Sequence, residues 1–248
     1  MTYSIVAKDE TTGAIGIVVA SRFFACGAMV PFVARDVAVA SQAFCNPIWG
    51  IEGLSRLAKG EKSTEVLSDF VSRDKGQSIR QAHMIDQKGE ISAHTGSDCV
   101  DWAGHCSADL VSVAGNMLTG EGVVRDTLGC YLENKDQPFL ERLLRSMEAG
   151  EKAGGDKRGR QAAGLIIHMG QDYPYIDLRV DDNHDPLYEI RRLVDVSTER
   201  FKHFSKGMAT RENFSGLSDR SPIDLAIKEA EELRILQGEL SRSLATSV

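Results

Sequence analysis

The sequence predicts an α+β fold in which two antiparallel sheets pack face to face and helices cover their outer sides. Three observations predict it: strands and helices come in separate blocks, turn-rich segments join the strands within a block, and the first two strands are apolar on both faces. Regular βαβ alternation would instead interleave the two kinds of element. The order of strands, two helices, strands, two helices, strands and a helix therefore favours a sandwich.

The first block is a β-hairpin. We predict a strand over Thr2–Lys8 and a return strand over Ala14–Ala20, joined by a turn at residues 9–13 whose residue types tolerate tight backbone geometry. Side chains alternate between the two faces of a strand, so Thr2 and Ser4 share one face. Apart from these two hydroxyls the first strand is apolar on both faces. We therefore expect a central strand that is covered on each side.

The remaining blocks follow from apolar periodicity and from helix start and stop signals. In chain order we predict a third strand at Val37–Ser41, helices at Ile51–Lys59 and Ser63–Arg73, a hairpin of Ile79–Ile85 and Glu90–His94, a strand at Leu110–Ala114, helices near Gly120–Leu132 and Pro138–Ala149, strands at Ala162–His168 and Tyr175–Val180, and a helix opened by Pro186.

The chain is expected to form one domain over residues 1–204, followed by a loop and helical extension over residues 205–248. After a polar stretch, Ser221 and Pro222 open a helix with one apolar stripe. The stripe consists of Ile223, Ile227, Ala230, Leu233, Leu236 and Leu240. It needs a covering surface, either on the same chain or on a partner subunit, and together with the sandwich it favours a homodimer or higher homo-oligomer.

Composition places the chain among ordinary globular proteins. It has 248 residues, 42% hydrophobic and 26% charged, with a formal net charge of -7. Because nucleic acids and anionic membranes attract basic surfaces, we expect neither partner. No apolar run approaches the ~18 residues that span a bilayer, and no secretory leader is recognisable, so we expect a cytoplasmic location. The odd number of cysteines, five, favours reduced thiols over a disulfide framework.

Thr2 is the leading candidate for catalysis. Its small side chain permits removal of Met1, which leaves a threonine that carries a hydroxyl nucleophile and a free α-amine on one residue. A terminal amine has a pKa near ~7.7 to 8.0, which suits proton transfer at neutral pH. The alternative is that Thr2 is an ordinary residue at the start of a strand.

The opening T-Y-S-I-V-A-K-D…G-A-I-G-I-V-V-A-S-R resembles that of N-terminal-nucleophile (Ntn) hydrolases such as proteasome β-subunits. More specifically, the chain is similar to a bacterial family known as domain of unknown function 1028, which is grouped with that fold. The matching segments cover about residues 1–195 in order: 2–9, 19–22, 41–43 with 46–47, 93–96, 99 with 102–105, 115–118, 154–161 and 177–182. The resemblance implies a four-layer αββα sandwich of two antiparallel sheets and leaves the reaction unassigned.

The chain departs from the proteasome-type pattern, in which a lysine on the third strand lowers the pKa of the nucleophile. No lysine lies between Lys8 and Lys59. Arg22 or Arg35 supplies only positive charge, because arginine does not accept a proton. The α-amine is therefore expected to be the main base, with help from His94.

Other polar residues near strand ends are candidates for supporting roles. Ser4 either orients the α-amine or pairs across the sheet, and Ser21 and Arg22 either approach Thr2 or form a polar strand exit. A tetrahedral oxyanion needs hydrogen-bond donors. The segment Ser41-Gln42-Ala43 is the first candidate for them. Asn116 is the second, through its side-chain amide, and its alternative role is that of a turn residue.

A glycine-rich loop is a candidate for substrate binding. In Gly154-Gly155-Asp156 the glycines permit close backbone approach, and Arg158 offers a two-pronged donor to a carboxylate or carbamoyl group. The alternative is a flexible loop with a solvated charge cluster. The loop lacks the G-K-[S/T] ending of a phosphate loop, so we expect no nucleotide there.

The cluster of His94, Cys99, His105 and Cys106 invites a zinc hypothesis. Its spacings match no C-x-x-C or H-E-x-x-H arrangement, so we expect no metal and no cofactor. Instead, we expect the loop to bring His94 to the Thr2 site, with Cys99 and His105 on the substrate side.

These residues lead to a primary function and two alternatives. The first is an N-terminal-threonine amidohydrolase that cleaves a small amide, ureido or peptide-like bond in a small-molecule substrate through a covalent ester. The second is a non-catalytic binding or assembly protein on the same fold. A third hypothesis places the nucleophile at Cys26 or Cys45, each of which closely follows a strand.

Overall fold

Ten strands and eight helices form over residues 2–245, the part of the chain that the computed structural model describes. The elements are β1 (Thr2–Lys8), β2 (Ile15–Ser21), α1 (Cys26–Met29), β3 (Pro31–Ala34), β4 (Val37–Ala43), α2 (Pro47–Leu57), α3 (Ser63–Arg73), β5 (Arg80–Ile85), β6 (Ile91–Thr95), β7 (Trp102–Ala108), β8 (Val111–Leu118), α4 (Gly122–Glu133), α5 (Phe139–Lys152), β9 (Ala162–His168), β10 (Ile176–Val180), α6 (Pro186–Glu199), α7 (Phe201–Ser205) and α8 (Ser221–Leu236).

The strands form two sheets in which every neighbouring pair is antiparallel. The six-stranded sheet has the order β10-β9-β2-β1-β8-β7, and the four-stranded sheet has the order β3-β4-β5-β6. Their inner faces share a fully buried cluster that includes Val6, Ile17, Val19, Ala38 and Ala40. The predicted α+β class with two antiparallel sheets packed face to face is confirmed.

Helices cover the outer face of each sheet. Trp49 and Leu57 of α2 and Phe70 of α3 pack on Val39 and Met84 of the four-stranded sheet. On the opposite side of the molecule, α4 packs on β8 and α5 packs on β1 and β2. The layers therefore run helix, sheet, sheet, helix, which is an αββα sandwich.

The central strand β1 has one face toward each neighbouring layer. On the outer side the Tyr3 hydroxyl oxygen lies 2.9 Å from Glu151 Oε2 and 3.1 Å from the Met147 carbonyl oxygen, both on α5. On the inner side the Ser4 hydroxyl reaches Gln42 of the other sheet. Every residue of β1 except Lys8 is buried. The expectation of a central strand covered on both sides is confirmed.

Several elements differ from the sequence-based expectations. Helix α2 begins at Pro47 rather than Ile51. Asn46 caps this start, because its side chain accepts from the Ile48 N–H at 3.0 Å, and proline is well suited to the first helical position. Strand β4 continues to Ala43 and β8 to Leu118. Strands β3 and β7 were not predicted, since both are partly exposed edge strands with little apolar alternation.

Contacts divide the chain into two compact units, Met1–Leu187 and Tyr188–Val248. In the second unit, Arg234 of α8 pairs with Glu199 at 3.2 Å, and α7 packs against α8. The proposed division at residue 204, into a fold domain and an extension, stays a prediction. Within residues 2–245 no helix is both long enough and apolar enough to cross a bilayer.

A close approach of two glycines provides a test of the packing. An added Cβ at Gly164 in β9 would lie 2.6 Å from Gly27 Cα in α1, so we expect Gly164→Ala to lower the free energy of unfolding by about 1–3 kcal/mol. The control is Gly129→Ala in α4, where an added Cβ meets no heavy atom of the described residues within 4 Å. Because alanine favours a helical backbone more than glycine does, the control substitution should raise the free energy of unfolding by about 0.5–1 kcal/mol. Urea denaturation measures both, and equal effects would contradict the packing.

Candidate functional site

Thr2 begins the central strand and lies between polar residues of the two flanking strands. The register places Thr2 opposite Asn116 of β8, and pairs Tyr3 with Ala20, next to Ser21 at the end of β2. Thr2 Oγ1 lies 3.2 Å from Ser21 Oγ, and Asn116 Nδ2 lies 3.4 Å from the Thr2 carbonyl oxygen. All three residues are buried. The structure thus brings Thr2, Ser21 and Asn116 together.

The glycine-rich segment of residues 153–161, called the crossing loop here, spans the start of β1. On the β8 side, the Lys157 N–H donates to the Met117 carbonyl at 3.3 Å. On the β2 side, the Gln161 N–H donates to the Ser21 carbonyl at 3.2 Å. Because β8 and β2 flank β1, a loop attached to both must pass over the end of β1 where Thr2 lies.

Asp156 holds the crossing loop to the strand end. Its carboxylate is buried and accepts from two backbone groups, the Arg22 N–H at 2.7 Å and the Arg158 N–H at 2.8 Å. The Arg22 guanidinium donates to the Arg158 carbonyl at 2.6 Å, which brings the two arginines to one corner. Sequence analysis placed Asp156 in substrate binding, whereas the structure uses its oxygens to shape the loop.

Six buried polar side chains form a network between the two sheets. Its members are Ser4, Gln42, Gln81, His83, Ser112 and Asn116. Gln81 of β5 is the centre, because its Nε2 donates to the Gly115 carbonyl at 2.8 Å and the Gly104 carbonyl at 3.1 Å, and lies 2.9 Å from Thr95 Oγ1. Its Oε1 accepts from Gln42 Nε2 at 2.9 Å and from Asn116 Nδ2 at 3.0 Å.

The direction of these hydrogen bonds follows from the two glycine carbonyls. A carbonyl only accepts, so the end of the Gln81 amide that faces Gly104 and Gly115 must be its NH₂ group, and the opposite end must be its oxygen. Gln42 therefore presents its NH₂ to Gln81 and its Oε1 to Ser4. Since Ser4 Oγ lies 2.7 Å from that Oε1, the single proton of the Ser4 hydroxyl must point to Gln42.

His83 completes the network as a neutral ring. Its Nε2 lies 2.8 Å from Ser4 Oγ, and its Nδ1 lies 3.0 Å from Ser112 Oγ. Burial, with a smaller contribution from the charge of His105, lowers the pKa of His83 to about 3, although a backbone hydrogen bond at Ser112 acts in the opposite direction. Because the Ser4 proton is committed to Gln42, the one ring proton must lie on Nε2, and Ser112 donates to Nδ1.

This network favours the structural alternative for Ser4, and it engages the Asn116 amide that was expected to stabilise an oxyanion. Ser4 bonds across to the other sheet, and His83 donates to it, so His83 is not placed to remove a proton from Ser4. The Asn116 amide donates to Gln81 and faces the Thr2 carbonyl, so both of its hydrogens already have acceptors within the protein. Gln81, His83 and Ser112 were missed by sequence reasoning. The available signal was polar residues alternating with Ala82 and Met84 in a predicted strand.

Four predicted site residues lie apart from Thr2 or reach it only indirectly. His94 pairs with Ala82 on the outer face of the four-stranded sheet, where its Nε2 lies 2.9 Å from the Gln77 carbonyl and its ring contacts Trp49. The expected approach of His94 to Thr2 is therefore not observed, because its strand register turns the ring toward α2.

Ser41 also points outward, since its hydroxyl donates to the Asn46 carbonyl at 2.9 Å and its N–H donates to the Val30 carbonyl. Ser41 is therefore not available as the expected oxyanion donor, whereas Gln42 faces inward. Cys99 lies in a loop with Sγ 3.4 Å from the Arg80 carbonyl. His105 reaches the network through Thr95, with Nδ1 2.9 Å from Thr95 Oγ1.

In the described part of the chain, the cysteines and the potential metal ligands are not arranged as a second reactive centre. All five cysteines are free. Burial raises the pKa of Cys26 to about 12 and also raises the pKa of Cys45, which disfavours the thiolate that a nucleophile requires. Among residues 2–245 no group of three or more histidine, cysteine, aspartate and glutamate side chains is arranged to hold a metal ion.

Comparison with known proteins agrees with this fold. Over residues 2–190 the chain matches the family described as "Family of unknown function (DUF1028)". It is also similar to the crystal structure of protein SPO2555 from Silicibacter pomeroyi, of the same family, with 27% sequence identity and a TM-score of 0.81. That match covers 88% of this chain and 99% of the other. No curated protein matches.

These similarities define the class of protein as an αββα sandwich of uncharacterised activity. Because the family match spans more than half of the chain, the protein belongs to DUF1028, a family of unknown function.

The buried neutral His83 predicts a pH dependence of stability. An unfolded histidine binds a proton near pH ~6.5, whereas folded His83 does so only near 3, so acidification in this window favours the unfolded state. From roughly pH 6.5 to 4, the free energy of unfolding of wild type should fall, relative to that of His83→Gln, by up to about 1.4 kcal/mol per pH unit. Urea denaturation across this range measures it.

The matched control is His184→Gln, which removes an exposed histidine and should follow the wild-type slope. If the free energies of unfolding of wild type and His83→Gln depended on pH in the same way, the prediction would be wrong, because the His83 ring would then take up protons in the folded protein.

Proposed function

We propose that this protein is an N-terminal-threonine amidohydrolase that acts on a small amide, ureido or peptide-like bond. After removal of Met1, which lies outside the described residues, the Thr2 hydroxyl attacks the carbonyl carbon and its own α-amine takes up the hydroxyl proton. The C–N bond then breaks, the proton passes to the leaving nitrogen, and an ester remains on Thr2. Water hydrolyses this ester, and the products are an acid and an amine.

The observation that carries the proposal is the placement of Thr2 between Ser21 and Asn116 beneath the crossing loop. Polar groups on either side of a nucleophile are suited to orienting its hydroxyl and its amine. The inter-sheet network supports the same choice, since Ser4 and His83 are committed to each other and to Gln42. The α-amine is then the base best placed for the Thr2 hydroxyl.

The αββα layering and the leading threonine strand also support a relationship with Ntn hydrolases. In this proposal the chain shares their use of an N-terminal residue as nucleophile and base. It differs from the proteasome-type site because no lysine occurs between Lys8 and Lys59. Arg35 does not compensate for the missing lysine, because it lies in the β3–β4 turn, at the end of the sandwich opposite Thr2.

The decisive experiment combines intact mass with a substrate screen. We expect purified protein to lack Met1 and to hydrolyse at least one compound in a panel of small amides and ureido compounds. Thr2→Ala should lower kcat by at least about 10³-fold, because it removes the nucleophile. Thr2→Ser, which keeps a hydroxyl, should retain measurable turnover.

Thr11→Ala is the matched control, because Thr11 is an exposed threonine in the turn after β1. It should leave both turnover and thermal stability unchanged. Retention of Met1 in the purified protein, or full turnover by Thr2→Ala, would contradict the proposal.

The second candidate is a non-catalytic binding or assembly protein. Two observations favour it: Thr2 is only 5% exposed, and α8 leaves apolar side chains at the surface, with Leu233 55% and Leu236 84% exposed. Such a stripe is suited to contact with another copy of the chain. This function predicts a retained Met1 and a biological activity that Thr2→Ala does not change.

A further inference from the structure

The cationic side chains in the corner formed by Arg22 and the crossing loop differ in their ion pairs. Two cationic side chains of the loop have carboxylate partners of their own. Lys157 Nζ lies 3.3 Å from Asp101 Oδ1, and Arg160 contacts Glu151 Oε1 at 2.5 Å and Asp185 Oδ2 at 3.4 Å. Arg22 and Arg158 share a single carboxylate, that of Asp156.

The hydrogen bonds of Asp156 go to backbone groups and engage neither guanidinium. Both Asp156 oxygens accept from backbone N–H groups, and Arg158 Nη2 lies 3.6 Å from Oδ2, beyond hydrogen-bond range. The side chain of Arg158 is 42% exposed, and Arg22 is also exposed. Asp156 is only 6% exposed, so it holds the backbone of the two arginines from below and does not shield their side chains from solvent.

The position of the pair relative to Thr2 follows from the strand register. Arg22 comes directly after Ser21, whose hydroxyl lies 3.2 Å from Thr2 Oγ1. The crossing loop carries Arg158 over the start of β1, and the Arg22 guanidinium bonds to the Arg158 carbonyl at 2.6 Å. The backbone segments that carry both arginines therefore adjoin the residue that the proposed function makes the nucleophile.

We propose that Arg22 and Arg158 bind a carboxylate of the substrate, so that the protein acts on small amides that carry a free acid group. A guanidinium presents only donors, in a planar fork that matches a carboxylate and adds Coulomb attraction. A neutral carbamoyl group offers only one acceptor oxygen, since its NH₂ group donates, and it adds no such attraction. The inference takes its location from the proposed function, but it concerns binding and is tested without turnover.

The test uses the Thr2→Ala protein and two probes that differ only at the terminal group, the carboxylate N-acetylglycine and the neutral amide N-acetylglycinamide. Titrations followed by NMR of the ¹⁵N-labelled arginine Nε–H groups give both affinities. We expect N-acetylglycine to bind at least about 10-fold more tightly, with the Arg22 and Arg158 signals shifting. Arg158→Met and Arg22→Met, each in this background, should reduce the preference to about 2-fold or less.

Arg35→Met is the matched control, because Arg35 is a half-exposed arginine at the opposite end of the sandwich, paired with Asp36 at 3.0 Å. It should keep the full preference for N-acetylglycine. Equal affinity for both probes, no binding of either, or a preference that survives Arg158→Met would overturn the inference. Because Thr2 is absent as a nucleophile in these proteins, their outcome is independent of whether wild type shows turnover.

Discussion

The polar interior of this sandwich depends on the side-chain amide of Gln81. Its NH₂ group faces two glycine carbonyls of the six-stranded sheet, which can only accept, so the amide has one possible orientation. Every other hydrogen bond of the network takes its direction from that one. Reversing or removing the amide would leave several buried groups without partners, at a cost of about 1–3 kcal/mol each.

This constraint decides which residues are available for chemistry. Ser4 and His83 are near enough to form a nucleophile and base pair, at 2.8 Å, but the network commits the Ser4 proton to Gln42 and makes His83 a donor. They join the two sheets instead. Thr2 lies two residues before Ser4 and faces the same side of the sheet. It is the first residue of β1, and the crossing loop passes over it. The structural Ser4 and the candidate reactive Thr2 therefore occupy successive inward-facing positions of β1.

The sequence predicted local features well and cross-strand relations poorly. The bounds of β1, α3 and β9 were predicted correctly, because their apolar patterns and flanking residues are local signals. The face on which His94 lies depends on its pairing with Ala82, which no local pattern reveals. The network around Gln81 requires residues from four strands to meet. The family resemblance to domain of unknown function 1028 is confirmed over residues 2–190, and it supplies no reaction.

The tautomer of His83 is the most direct test of this arrangement, because it distinguishes a structural Ser4–His83 contact from a reactive one. Two-dimensional ¹H–¹⁵N NMR of the histidine rings at neutral pH identifies which nitrogen carries the proton. The network requires a neutral His83 ring protonated at Nε2 and unprotonated at Nδ1. A ring protonated at Nδ1 alone would present Nε2 to Ser4 as a base, and would contradict the directions derived from Gln81.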